Sequence, residues 1–298
     1  MKRVCDTGRL TLVGMAVVAS LLTFAVAAAW AESPTWLCVP KTAGKAVTSG
    51  GTGTKAECEK EATTVELPPA GELSTLVSIL PHMKYVASGV DGQPTVKFEG
   101  VNVQIINGAG STATTNGKGN LVIGYNEAAG TETGSHNLVL GGEQSFTSYG
   151  GILAGFNNSI SQPFASITGG KSNIVTGSYA SITGGWKNTA SGSRASITGG
   201  YENTASELVA SVSGGELNTA SAPGASVSGG VGNKANKGGA SVNGGYENTA
   251  EALGASVAGG KENKATGKYA SIFGGNELKA ANEFEACGGN PNVVGGVC

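Results

Sequence analysis

The stretch ASITGGWKNTASGSR, residues 180–194, decides the fold, because similar stretches precede and follow it without a gap. Its opening, ASITGG, also begins at Ala165 and Ala195. Variants of this opening begin at Ala210, Ala225, Ala240, Ala255 and Ala270. A period of 15 residues held through eight copies identifies a repeat protein. We number each copy from its alanine, as positions 1 to 15.

Within each copy, residue types alternate as they do in half-buried β-strands. Positions 1 to 4 alternate Ala and Ile/Val with Ser and Thr, and positions 9 to 12 separate Asn and Ala from Thr and Ser. Gly-Gly at positions 5 and 6 supplies one turn. Positions 13 to 15 supply the other, and both Pro163 and Pro223 fall at position 14, where no ladder N–H is needed. The pattern predicts an all-β parallel β-solenoid, with two short strands and two turns per coil.

Stacking of such coils places each residue over its counterpart one period on, about 4.8 Å away. Two columns are then predicted to point inward. The core column consists of Ile167, Ile182, Ile197, Val212, Val227, Val242, Val257 and Ile272. The asparagine ladder, in which side-chain amides would bond to one another along the axis, consists of Asn173, Asn188, Asn203, Asn218, Asn233, Asn248 and Asn263.

The repeats weaken toward the N-terminus. Residues 150–155 keep the 15-residue register, whereas 137–142 and 120–124 follow spacings of 13 and 17. We predict solenoid repeats over 120–280, a strand–turn–strand lead-in over 95–119, a cap region over 32–94 and a C-terminal disulfide loop over 281–298. A turn at Asp91-Gly92 precedes the lead-in.

The cap region contains a candidate for a short amphipathic helix between Pro69 and Pro81. Its apolar face would carry Leu73, Leu76, Val77 and Leu80. Such a helix is too short to be stable alone. It would either pack on the first coil as a cap or associate with copies of itself.

Residues 1–31 have the pattern of an export signal. Lys2 and Arg3 precede the apolar run from Leu10 to Ala29, and a small-x-small cleavage site ends at Ala31. An uncleaved membrane anchor is the alternative, because the run is long. After cleavage, the sequence predicts a secreted or cell-surface protein with no membrane attachment.

Four cysteines follow the signal, and they allow three connectivities. We favour the two local pairs, Cys38 with Cys58 and Cys287 with Cys298, because the solenoid between them would hold the pairs apart. Disulfides agree with an oxidising compartment. A metal site is the alternative, but the spacings are not those of a zinc site.

Composition argues against several functions. The net charge of −2 and the lack of a basic stripe predict no nucleic-acid partner. Asp91 is the single aspartate after the signal, and His82 and His136 are the two histidines. No nucleophile elbow or calcium-binding repeat is present, so we predict a non-enzyme without cofactor or metal. A β-helix enzyme acting on polysaccharide is the remaining catalytic alternative, and Glu247 and Glu262 on neighbouring coils are the nearest to a carboxylate pair.

Two outward arrays are candidates for ligand contact. Trp186, Tyr201 and Tyr246 share position 7 with Phe156, where exposed rings would bind a surface glycan or a protein. The alternative is that these rings cover the end of the coil. Thr189/Ser191, Thr204/Ser206 and Thr219/Ser221 form a hydroxyl array suggestive of an ice-binding face, which Lys234, Asn236 and Glu251 interrupt.

The repeat resembles the head domains of trimeric autotransporter adhesins. Residues 181–185 (SITGG) followed by 188–192 (NTASG) fit their approximate head motif S-x-A-I-G-x-x-A-x-A-x-G. The resemblance covers about residues 120–280 and implies a left-handed parallel β-roll, often trimeric, at a bacterial surface. The chain has neither the long coiled-coil stalk nor the anchor barrel of that family.

These observations together predict a secreted or surface structural and adhesive protein that mediates attachment or assembly. A homotrimer is expected, and a carbohydrate- or ice-binding module is the alternative.

Overall fold

A computed structural model of the chain describes Thr75, residues 77–288 and the backbone of three strands nearer the N-terminus. The chain divides after Val103 into two compact units. Residues 1–31 with the export signal, together with Leu73, Leu76, Cys58 and Cys298, lie outside the described residues.

The first unit is a set of short antiparallel pairs. Strand Thr35–Pro40 lies between Thr48–Thr52 and Ala62–Leu67, a sheet that the sequence did not predict. Cys38 lies on the central strand. Met83–Val86 pairs with Thr95–Phe98.

The expected short helix is present as a helix-like turn: residues 77–79 are helical and continue as the 3-10 turn Leu80–His82, and Val77 on its predicted apolar face is exposed. One expectation for the segment that follows differs from the structure. The lead-in forms one strand, Thr95–Phe98, which pairs back onto the segment before it. Residues 101–106 carry no strand. The turn near Asp91 is present as Val90–Gly92.

The second unit is the parallel β-solenoid that the repeat predicts, with about 11 turns. Its twelve-stranded sheet contains Leu121–Ile123, Leu138–Gly142, Ile152–Phe156, Ser166–Ile167, Ser181–Ile182, Ser196–Ile197, Ser211–Val212, Ser226–Val227, Ser241–Val242, Ser256–Val257, Ser271–Ile272 and Ala286–Cys287. Its ten-stranded sheet contains Ser145–Phe146, Ser159–Ile160, Ile174–Val175, Thr189–Ala190, Thr204–Ala205, Thr219–Ala220, Lys234–Ala235, Thr249–Ala250, Lys264–Ala265 and Lys279–Ala280. All pairs within both sheets are parallel.

The core of the solenoid consists of columns of apolar residues contributed by both sheets. All eight residues of the predicted core column are at most 1% exposed. The alanines of positions 1 and 11 face them and are equally buried, from Ala165 to Ala280. Toward the N-terminus, position 11 changes to Val175, Ile160 and Phe146, so the coils there hold larger side chains.

The backbone makes a third ladder that the sequence did not predict. Position 7 of each coil forms parallel bridges to position 7 of its neighbours, as between Trp186 and Tyr201. The Gly-Gly turn is therefore a hydrogen-bonded corner rather than a free loop. Position 6 explains one glycine of the pair: Gly185 has φ of 86°, and a Cβ on it would lie 2.2 Å from the carbonyl oxygen of Gly200.

The 15-residue register does not extend to residues 150–155, contrary to the prediction. Ile167 pairs with Leu153, 14 residues earlier, whereas Lys171 bridges Phe156, 15 residues earlier. The earlier coil therefore has one residue fewer between its core residue, Leu153, and its position 7 residue, Phe156. Leu153 is therefore buried in the core column, and Ile152 is 40% exposed.

The two ends of the solenoid differ from the predicted limits. Ala286–Cys287 pairs with Ser271–Ile272, so the stack continues past Ala280 into the segment predicted as a loop. Cys287 occupies the core column and is buried. Its predicted disulfide to Cys298 stays a prediction, as does the pair Cys38–Cys58.

Candidate functional site

The corner at positions 5 to 9, here the charged corner, is held by the asparagine column. Asn188 illustrates its geometry: Nδ2 donates to the carbonyl oxygens of Gly184 (3.1 Å) and Gly200 (3.0 Å). Its Oδ1 accepts from the backbone N–H of Asn203 at 2.9 Å. One buried side chain thus satisfies three backbone groups on two adjacent coils, where no water could replace it.

All seven asparagines of the predicted ladder are buried and make this set of contacts. The prediction that their side-chain amides bond to one another is wrong. The amides bond mainly to backbone groups of their own and the neighbouring coil rather than to one another, because position 9 lies beside the carbonyls of the glycine turn; the position 6 carbonyl also accepts a backbone N–H, as Gly200 does from Trp186. Asn263 adds one amide-to-amide bond, from Nδ2 to Oδ1 of Asn248.

The amide column is longer than the sequence predicted. Oδ1 of Asn126 accepts from the N–H of Gln144, and Oε1 of Gln144 accepts from the N–H of Asn158. At the other end, Leu278 donates its N–H to Asn263. Gln144 was missed because it is one methylene longer than the repeat's asparagine and follows an altered spacing.

With the backbone held in this way, the residues at positions 7 and 8 lie outside the core and are exposed or half-buried. The position 7 column reads Phe156, Lys171, Trp186, Tyr201, Glu216, Val231, Tyr246, Lys261 and Asn276. Trp186 and Tyr201 are adjacent, with ring centroids 5.0 Å apart. Tyr246 is separated from them by Glu216 and Val231. The three predicted contact aromatics therefore do not form one row.

Charged side chains contact the adjacent rings of Trp186 and Tyr201. The Lys187 ammonium lies 5.0 Å from the Trp186 ring centroid and 5.8 Å from that of Tyr201. It forms an ion pair with Glu202 at 3.0 Å. Trp186 nevertheless remains 46% exposed. The site is a ring pair with one cation and one carboxylate at its side.

Charge at this site shifts several pKa values. The hydrogen bond from Lys187, with a second from Tyr201, lowers the pKa of the Glu202 carboxyl. The bond to Glu202 in turn raises the pKa of the Lys187 ammonium and that of the Tyr201 phenol. Tyr246 has a raised pKa for the same reason, chiefly through its hydrogen bond to Glu247.

The two histidines hold loops in place. His136 Nδ1 bonds to the carbonyl oxygen of Thr112 at 3.2 Å, and its Nε2 accepts from the N–H of Asn107 at 3.1 Å. His82 Nδ1 lies 3.0 Å from the carbonyl oxygen of Glu99. Among the described residues, no group of three or more His, Cys, Asp or Glu side chains is placed to hold a metal.

The hydroxyl array lies on the ten-stranded sheet, where Thr189, Thr204 and Thr219 are aligned in register. Lys234 follows Thr219 directly in the same file and ends the array. Three consecutive threonines form a shorter surface than the charged corner does, so the hydroxyl array is the weaker candidate for ligand contact.

A second exposed column was missed. Position 15 carries Phe164, Tyr179, Tyr269 and Phe284, all exposed. The 15-residue period alone could have revealed it, but the glycines and prolines beside it indicated only a turn.

The chain matches no protein-family model and no curated protein sequence. Within the described part of the chain, no helix has the length and apolar character needed to cross a membrane.

Proposed function

We propose that the chain is a non-catalytic structural protein, secreted or held at a cell surface, whose solenoid presents repeated side chains for attachment or assembly. The observation that carries this proposal is the unbroken amide column from Asn126 to Leu278. It fixes every coil to the next, so outward positions recur at about 4.8 Å along a stiff body. The resemblance to adhesin heads and the export signal support the same role.

The proposal makes a statement about location that can be tested directly. The full chain with a C-terminal tag, expressed in a bacterial host, is expected in the culture medium or on the cell surface, with the mass of residues 32–298. Protease added to intact cells should remove surface-held protein. Protein of unprocessed mass that stays in the cytosol would contradict the proposal.

A second candidate function is carbohydrate binding at the charged corner. It is favoured by the pair of the exposed Trp186 and the half-buried Tyr201, with Lys187 and Glu202 beside them, since aromatic faces stack on sugars while charged groups bind hydroxyls. Isothermal titration calorimetry with soluble polysaccharides tests this function. Trp186→Ala and Tyr201→Ala should each abolish binding that Tyr246→Ala, three coils from Tyr201, leaves intact.

We also propose that the mature protein self-associates, as a homotrimer. A single roll of 15-residue coils encloses a thin core of Ile, Val and Ala, and its burial per residue is modest. Small Ser and Thr side chains on the outer sheet faces permit close approach of another chain. Light scattering on protein beginning at Glu32 should give three times the chain mass, and a single-chain mass would contradict the trimer.

A further inference from the structure

The corner at positions 13 to 15, here the apolar corner, carries large side chains where its backbone disfavours them. Position 15 has positive φ in every described coil, from 56° at Phe164 to 60° at Phe284. Such a conformation costs a non-glycine residue roughly 1–2 kcal/mol, and bulky or β-branched residues rarely adopt it. Glycine occupies it in three coils, at Gly224, Gly239 and Gly254. Aromatic residues or valine occupy it at Phe164, Tyr179, Val209, Tyr269 and Phe284.

Burial within the chain does not explain these residues. Their exposed fractions range from 42% for Phe164 to 71% for Phe284. Leu208 and Leu253, at position 14 of the same corner, are 46% and 48% exposed. Positive φ alone is shared with position 8, where Leu217 has φ of 58° and is 46% exposed, so what distinguishes this corner is the number of large apolar side chains that it exposes in adjacent coils.

Ring stacking organises the corner into two clusters. Tyr149, Phe164 and Tyr179 form a continuous stack, with centroid distances of 5.4 and 5.2 Å. Tyr269 and Phe284 form a second stack at 5.4 Å. Between the clusters lie Arg194, the apolar pair Leu208 and Val209, Pro223, Leu253 and the three glycines Gly224, Gly239 and Gly254. The corner is an apolar ridge with a lower central section.

Exposure and charge both suit a protein partner. The ridge exposes large apolar side chains in two ring stacks with Leu208 and Val209 between them, and exposed apolar patches of this kind mark interaction sites. Charged residues at this corner are Arg194, Glu207, Lys237, Lys268 and Glu283, of which Arg194 alone lies in the position 15 column. The opposite, charged corner carries the intercoil ion pair of Lys187 with Glu202.

We propose that the apolar corner is the surface through which copies of this chain associate. Its side chains repeat at the coil spacing of about 4.8 Å, and a partner must repeat at the same spacing to contact several coils equally. A second copy of this chain has the same spacing because it has the same coils. The finite length of the two stacks disfavours sliding: a slip of one coil would shorten the contact between matching stacks, and a slip of two would remove it for the stack of Tyr269 and Phe284. This inference rests on the self-association proposed above and assigns it to one surface.

The test compares three proteins by light scattering, each beginning at Glu32 with native disulfides. The apolar-corner variant is Phe164→Asn/Tyr179→Asn/Tyr269→Asn, since asparagine tolerates positive φ and leaves the backbone unstrained. The matched control on the charged corner is Trp186→Asn/Tyr201→Asn/Leu217→Asn. The unaltered chain should be a multimer, the apolar-corner variant should dissociate at least about 100-fold more readily, and the control should match the unaltered chain.

The remaining outcomes separate this inference from the proposals on which it rests. Equal association of all three proteins would overturn the apolar corner as the interface and leave self-association standing. Equal loss of association in both variants would overturn it as well, because the effect would not be specific to the corner. A single-chain mass for the unaltered protein would overturn both the interface and the trimer, while surface location would still rest on its own test.

Discussion

At the scale of single residues, the two glycines of the charged corner have different reasons to be there. Gly185 has a positive φ, and a Cβ on it would collide with the backbone of the next coil. Gly184 has open space at the same point. The carbonyl of Gly184 accepts a hydrogen bond from Asn188, a contact that any residue could make. One glycine of the pair is therefore required by geometry and the other is not.

A matched pair of substitutions tests this difference. Gly185→Ala should lower the free energy of unfolding by more than about 2 kcal/mol, from left-handed strain and steric conflict together. Gly184→Ala should change it by less than about 0.5 kcal/mol or stabilise the chain slightly. Urea unfolding followed by circular dichroism measures both. A larger loss for Gly184→Ala would contradict the assigned backbone geometry.

The same scale contains a test of which side chains face inward. Val227 is 1% exposed, between Val212 and Val242 in the core column, whereas the adjacent Ser226 is half-buried on the outer face. Val227→Asp should cost about 3–5 kcal/mol, because the carboxylate would be buried without a partner. Ser226→Asp should cost less than about 1 kcal/mol in the same urea titration. Equal losses would contradict the strand register.

At the scale of the element, the asparagine side chain at position 9 links each coil to the next by hydrogen bonds. Asn203 accepts from the N–H of Asn218 and donates to the carbonyls of Gly199 and Gly215. The position 6 glycine and the position 9 asparagine therefore depend on each other, since the left-handed turn aims its carbonyl at the amide. Removing either breaks the corner.

Asn203→Ala should therefore destabilise the solenoid by about 3 kcal/mol or more, because one N–H and two carbonyls lose a buried partner. Thr204→Ala, whose side chain lies on the outer face, is the control and should cost less than about 1 kcal/mol. Hydrogen exchange should show faster exchange of the Asn218 N–H in the Asn203 variant. Unchanged protection there would contradict the amide column.

The charged corner has an expected pH response. Lys187 lowers the pKa of Glu202, so this pairing stabilises the fold above the ordinary carboxyl pKa and is lost as pH falls through the lowered one. In Lys187→Met, an NMR titration should find the Glu202 pKa raised toward its usual value. Lys234→Met, on the ten-stranded sheet, should leave it unchanged. A Glu202 pKa that is the same in the Lys187 variant would show that the ion pair does not form in solution.

Prediction from the sequence succeeded where one residue type recurs at one position. The period, the strands and the burial of the Ile/Val and Asn columns all follow from alternation and spacing. The bonding of Asn188 to backbone carbonyls does not, because it depends on the left-handed turn at Gly185. The burial of Leu153 in place of Ile152 depends on a corner shortened by one residue, which no local pattern reveals. The apolar corner was missed because Phe164 and Tyr179 occupy a position where glycine was expected.

At the scale of the whole molecule, the central claim is that each 15 residues add one coil and about 4.8 Å of length. Ser166, Ser241 and Ser271 occupy position 2 of coils one, six and eight in the regular series, on the outer face of the twelve-stranded sheet. This file is straight only if every intervening coil is present and in register. Distances between serines of this file therefore measure length along the solenoid axis.

The measurement is the distance between spin labels by pulsed electron paramagnetic resonance, with cysteines introduced at Ser166 and Ser241 or at Ser166 and Ser271. Narrow distributions are predicted, centred near 24 Å for the five-coil pair and 34 Å for the seven-coil pair, at about 4.8 Å per coil. A chain without this stack would give broad distributions near 50 Å or more, as expected for flexible segments of about 75 and 105 residues. Distances of that kind, or a seven-coil distance no longer than the five-coil one, would contradict the solenoid.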